Sequence, residues 1–182
     1  VALGAPADLA ILAHPRWMDW LARNGPDVLD RTDSLTSNTL VLIAPKGTPA
    51  LTEVTPATLR ARLGTARLAM GHRAAVPAGQ YAQEWLTQAG LWAAIAPQVA
   101  EVENVRAALR LVATGEAPLG VVYASDAQAE PAVQVLAHAP RGSHSAIAYP
   151  AAAFTPVGAR LLAHLRSPGA QAIFAQFGFQ AP

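Results

Sequence analysis

The segment Asn38–Gly47, NTLVLIAPKG, constrains the fold more than any other. Leu40 to Ala44 are apolar without interruption, and Pro45, Lys46 and Gly47 stop the run. A strand-length apolar run with no polar alternation belongs to a strand covered on both faces, as in sheets flanked by helices. Similar short runs recur along the chain: ADLAIL (7–12), RLAMG (67–71), QVAEVE (98–103), APLGVVY (117–123), AVQVLAHAP (132–140) and AIAYPAAA (146–153). Between them lie segments with helical spacing and helix punctuation. PRWMDWLARNG (15–25) opens on Pro, ends on Gly and sets Trp17, Trp20 and Leu21 on one predicted face. TPATLRARLG (55–64) has a Thr cap, a first-turn Pro and a closing Gly. AGQYAQEWLTQAG (78–90), NVRAALRLVATG (104–115), TPVGARLLAHLRS (155–167) and PGAQAIFAQFG (168–178) complete the helices, and the ASDA after Tyr123 reads as a polar turn. Strands and helices alternating in this way predict an α/β architecture with mostly parallel, helix-covered sheets.

Composition narrows the function classes. The chain has 182 residues, 52% hydrophobic and 14% charged, with a formal net charge of +1. That is enough chain for one large domain or two small lobes with a real core. The near-zero charge gives no electrostatic basis for nucleic-acid or anionic-membrane binding. Lys46 is the only lysine among 13 basic residues, and the arginines are scattered rather than clustered. There is no cysteine, which excludes disulfides, zinc–thiolate sites and cysteine nucleophiles. No apolar run reaches the roughly 18–20 residues of a membrane span. The opening VALGAPADLAIL has neither Met nor a basic stretch and reads as a processed or cut end rather than a signal peptide.

In α/β folds ligands gather at the carboxyl ends of strands, where helix N-termini point. Two strand-to-helix turns are well formed in the sequence. In MGHRAAVPAGQYA the helix opens at Val76-Pro77-Ala78-Gly79, and the small Ala78 and Gly79 leave the first free N–H groups approachable. In AEVENVRAAL, Asn104 caps and Val105 offers another free N–H. Helix N-termini attract anions through these donors and the macrodipole. Tyr123, at the end of the LGVVY strand, can point a hydroxyl into a cleft. Each feature has a plainer reading as well: two ordinary strand-to-helix turns and a core tyrosine. His72 and Arg73 precede the first turn and read as a solvated pair. Ser125-Asp126 and Ser143-His144 carry the letters of a hydrolase triad without a G-x-S-x-G elbow. None of the five histidines has metal-ligand spacing, and no metal site is expected.

The order of these segments carries more than each alone. GAPADL, WMDW, LVLIAPKG, RLAMG, VPAGQYAQEWL, VRAALRLVATGEAPLGVVYASDA, AYP and IFAQFGF, in one register, closely resemble the periplasmic molybdate-binding proteins of molybdate ABC transporters. The likeness covers essentially all 182 residues. It implies a two-lobed periplasmic binding protein fold of type II, with molybdate or tungstate held in the inter-lobe cleft by neutral donors. It further implies a permease partner, a periplasmic location, no cofactor and no catalysis. On this sequence the implied donors are the Ala78 N–H, the Val105 N–H and the Tyr123 hydroxyl. Residues 1–38 and 145–182 would form the first lobe and 39–144 the second. The resemblance also implies two serine donors ahead of GAPADL, which this sequence starts too late to include, so the first lobe is expected to be incomplete. Ser34, Thr36 and Ser37 lie in a different region and do not take that role. Three alternatives remain at this stage: a sulfate-type oxyanion binder, a small α/β hydrolase using Ser125 or Ser143, and an effector-sensing domain of a transcription regulator.

Overall fold

The computed structural model describes residues 6–182. Gly4 and Ala5, the start of the GAPADL motif, lie outside them. In chain order the strands are β1 (Leu9–Ile11), β2 (Asp30–Asn38), β3 (Leu40–Pro45), β4 (Leu68–Gly71), β5 (Val99–Val102), β6 (Leu119–Tyr123), β7 (Val133–His138) and β8 (Ile147–Ala153). The helices are α1 (Pro15–Asn24), α2 (Pro56–Leu63), α3 (Pro77–Gln88), α4 (Trp92–Ile95), α5 (Val105–Ala113), α6 (Ala124–Ala129), α7 (Pro156–Leu165) and α8 (Pro168–Gln176). The described chain divides into two compact units, with boundaries after Asn38 and after Ser145.

The first unit is built on the sheet β1-β8-β2, with β8 in the centre and antiparallel to both neighbours. Its alternation is legible in three alanines. Ala151 and Ala153 face Leu35 and Leu162, with Leu165 and Phe174 packed against them. Ala152 faces Met18 and Leu21 on the other side. Side chains this small let helices approach both faces of one strand. At the start of α7 the approach is closer still: a Cβ on Gly158 would stand 1.8 Å from the Asp8 carbonyl oxygen. Thr155 caps α7 and donates its hydroxyl to the Asp8 carboxylate at 2.6 Å.

The expectation for α1 needs correction. Met18 and Leu21 make its buried stripe, while Trp17 and Trp20 are 46% and 45% exposed. The helical wheel admits either stripe, and only the sheet opposite decides which one packs. The polar β2, DRTDSLTSN, has no strand signal in its sequence. It pairs antiparallel with β8 along its length, and its hydroxyls find partners as well: Thr36 donates to the Gln180 carbonyl at 2.7 Å and Ser34 to the Thr36 carbonyl at 3.0 Å. Its N–H and C=O groups at Ser37 exchange 2.9 Å bonds with Gln180.

The second unit carries the five-stranded sheet β5-β4-β6-β3-β7. Val41, Ile43, Ala69 and Val122 face α5 and α6 through Ala108, Val112 and Ala127. Leu40, Leu42, Leu68 and Met70 alternate with them and are fully buried as well, so this sheet is covered on both faces, as the apolar runs require. Gly120 permits close contact with α5, since a Cβ there would meet a Val112 methyl at 2.7 Å.

The strand directions differ from the sequence expectation of mostly parallel sheets. Among the described residues only β4–β5 and β4–β6 are parallel, and the other four pairings are antiparallel. Continuous apolar runs report burial on two faces and carry no information on direction. β3 follows β2 with no crossover helix and lies antiparallel between β6 and β7.

Candidate functional site

The three parallel strands of the second unit set the geometry. Gly71 pairs with Val102, and Ala69 with Gly120, so the carboxyl ends of β5, β4 and β6 lie side by side. Ala78 sits in the first turn of the helix that follows β4. Val105 is the first residue of the helix that follows β5. Tyr123 is the last residue of β6 and the N-cap of α6. Three residues far apart in sequence therefore meet one end of one sheet.

The turn before α3 is built from backbone. The His72 N–H donates to the Val102 carbonyl at 2.8 Å, and the His72 carbonyl accepts from Ala75 and Val76 at 3.1 and 2.8 Å. The Val76 carbonyl then takes the Gly79 and Gln80 N–H groups at 2.9 and 3.1 Å. Val76 stands at the N-cap and supplies no side-chain bond. Among the described residues no acceptor takes the Ala78 N–H, and the residue is 1% exposed. A buried N–H of this kind is costly unless something external accepts from it. At α5, Asn104 caps Ala107 N–H at 2.8 Å, and among the described residues the Val105 N–H also has no acceptor.

Gly79 plays a different part from the one its sequence suggests. A Cβ there would lie 2.1 Å from the Gly71 carbonyl oxygen. Its missing side chain seats the helix on the strand end rather than admitting a ligand. His72 and Arg73 are likewise not merely solvated. Both face Glu101 of β5, at 3.7 and 3.5 Å, and Glu101 also accepts the Arg73 N–H at 3.1 Å. The Arg73 charge beside this turn is thus matched by an acid.

Two acidic residues take parts that the sequence reading did not assign to them. Glu101 looks like one polar position in a strand, and nothing local marks its partners. Asp126 had a findable signal: an acid three residues after an N-cap is the second half of a capping box. The segment read as a polar turn is the helix α6, and the Asp126 carboxylate accepts the Tyr123 backbone N–H. Burial pushes the Asp126 carboxyl up, opposed by the Arg106 charge and by that hydrogen bond.

Ser143 and His144 contact backbone carbonyls rather than each other. The Ser143 hydroxyl donates to the Pro140 carbonyl at 2.7 Å, and His144 lies with its Nδ1 2.7 Å from the Ser145 carbonyl and its ring against Tyr81. Among the described residues no helix is long and apolar enough to cross a membrane.

A mixed α/β chain that passes twice between two compact units, with helix N-termini at the carboxyl ends of parallel strands, is a type II binding-protein fold. The chain belongs to the family of bacterial extracellular solute-binding proteins, which it matches over residues 1–180. It is 39% identical to the molybdate-binding protein ModA of Escherichia coli, over 98% of this chain and 72% of that protein. It is 35% identical to the ModA of Haemophilus influenzae with the same coverage of both. Among solved structures, the substrate binding domain of a putative molybdenum ABC transporter from Clostridium difficile superposes with a TM-score of 0.79 at 27% identity, over 99% of this chain and 79% of that one.

Proposed function

We propose that this protein captures molybdate, and tungstate with it, in the periplasm and delivers the oxyanion to the permease of an ABC importer. It binds without a chemical step and without a cofactor. The ligand donors from the second unit are the Ala78 N–H, the Val105 N–H and the Tyr123 hydroxyl. The observation that carries this reading is the pair of unaccepted helix N–H groups at Ala78 and Val105, brought to the same sheet end as Tyr123. The names of its relatives give the ligand class.

The chemistry fits a fully deprotonated tetrahedral dianion. Such an ion is very costly to bury unless several donors converge on it. Each hydrogen bond to a charged group contributes about 1.5–3 kcal/mol. A site made of donors suits molybdate, which has no proton to give, better than a protonated phosphate, which needs an acceptor. Backbone donors also suit a large oxyanion, because they hold position without a long side chain to order.

Titration followed by intrinsic Trp fluorescence tests it. Molybdate and tungstate are expected to bind tightly and to compete with each other, and sulfate and phosphate to bind far more weakly. Sulfate binding as tightly as molybdate overturns the assignment.

A further inference from the structure

Asp126 is a half-buried carboxylate that the proposed donor set does not use. The α6 cap lacks the reciprocal bonds of α2, where the Thr55 hydroxyl accepts the Thr58 N–H and the Thr58 hydroxyl accepts the Thr55 N–H. The N-cap side chains Thr55, Asn104, Thr155 and Ser167 each accept an N–H of the helix they start. At α6 the N-cap position is held by Tyr123, whose side chain makes no such bond. The bond runs the other way there: Asp126, in the first turn, accepts the N–H of Tyr123. The remaining oxygen, Oδ2, is buried and has no hydrogen-bond partner among the described residues. The carboxylate lines a cavity of about 480 Å³ with Arg106, Arg110, Thr114 and Glu130. Arg106 directly follows Val105 and attracts the carboxylate electrostatically.

A neutral Ser or Thr at the cap would start this helix at lower desolvation cost. A carboxylate retained here does something a hydroxyl at the cap position cannot. It leaves that position to a tyrosine and holds its backbone with a charge-assisted bond, which is about twice as strong as a neutral one. We infer that Asp126 is a positioning residue for Tyr123. Its carboxylate fixes the N–H, and with it the backbone from which the phenol projects, while Arg106 draws the same group toward the turn that carries Val105. The inference rests on Tyr123 being a ligand donor, but the bond itself can be measured without ligand.

The experiment compares Asp126→Ala and Asp126→Asn in the full chain. Molybdate is titrated into each, and hydrogen exchange of the Tyr123 backbone amide is followed by NMR in the ligand-free protein. Asp126→Ala is expected to lose about tenfold in affinity and to expose the Tyr123 amide to faster exchange. Asp126→Asn keeps an acceptor oxygen and is expected to stay within about threefold of the parent and to retain protection. Wild-type affinity in folded Asp126→Ala overturns the inference, as does an equal loss in the two folded variants. If Asp126→Ala does not fold, Arg106→Gln decides: affinity reduced at low salt supports the coupling, and unchanged affinity with unchanged Tyr123 exchange refutes it. If the parent binds no molybdate the proposed function falls, and the exchange rates still decide whether Asp126 holds Tyr123.

Discussion

The missing side chain of Gly79 points at the carbonyl of Gly71: a Cβ built there would lie 2.1 Å from that oxygen. Helix α3 and strand β4 touch through backbone at this point, and the contact sets where the Ala78 N–H sits. Gly79→Ala forces the two apart. The substitution removes a glycine from a helix, which alone favours stability by up to about 1 kcal/mol, but the overlap with backbone costs about 1–3 kcal/mol. A net loss in denaturant unfolding is expected, with molybdate affinity falling further than stability. Full affinity in a folded Gly79→Ala protein contradicts the placement of the donor.

Val105→Pro isolates one donor. The first helical position tolerates Pro, and Asn104 already has the extended backbone that a residue before Pro prefers, with φ −160 and ψ 168. The N–H removed has no acceptor among the described residues. Unfolding should change little, while molybdate binding weakens by about 1.5–3 kcal/mol, roughly ten- to hundredfold. Calorimetric titration beside a thermal melt separates the two effects, and unchanged affinity removes Val105 from the donor set.

Tyr123→Phe deletes the phenol oxygen and keeps the ring of a residue that is 9% exposed. The expected outcome is weaker molybdate binding by a similar amount, about 1.5–3 kcal/mol, with the fold intact. Equal affinity for the parent and the Phe variant would leave the hydroxyl without a role.

The pH dependence of Asp126 has a definite sign. Burial raises its carboxyl above the ordinary value in the folded protein, so the folded state holds the proton more readily than the unfolded chain. This group's contribution to stability is therefore fully present below the ordinary carboxylate value and is lost as pH rises through the raised one. The groups facing it are Arg106 and Arg110 of α5 and Glu130 at the end of α6. Strand β3 brings no charge, β6 brings only Tyr123, and β7 carries His138 at its exposed end. Asp126→Asn should remove this slope and melt at neutral pH no lower than the parent. The difference in melting temperature between the two proteins, measured from acid to neutral pH, is the readout. A parent that gains on the variant as pH rises reverses the sign and refutes the burial argument.

Much of the architecture was legible before any coordinates. Helices α2, α3, α7 and α8 announce themselves through Pro at the start, and α5 through its Asn104 cap and the Gly115 past its end. Strands β3, β4 and β6 do so through unbroken apolar runs. The polar β2 and the short α6 were not, because their stability comes from partners remote in sequence or from a reversed cap. Thr36 pairs with Tyr149 of β8 and donates its hydroxyl to the Gln180 carbonyl, and no local pattern contains either contact.

The candidate site divides in the same way. Sequence alone determined which turns would end in helix N-termini with unpaired N–H groups, since capping and Pro placement are local. It also determined the absence of cysteine chemistry. Only the tertiary structure decided that the turns at Ala78 and Val105 share one sheet end with Tyr123, because parallel register is a pairing between distant segments. Only the structure showed Glu101 matching His72 and Arg73, Gly79 facing Gly71, and Asp126 holding the N–H of Tyr123. Propensity and punctuation act over a few residues along the chain, whereas burial, register and charge pairing depend on which distant residues the fold brings within a few ångströms.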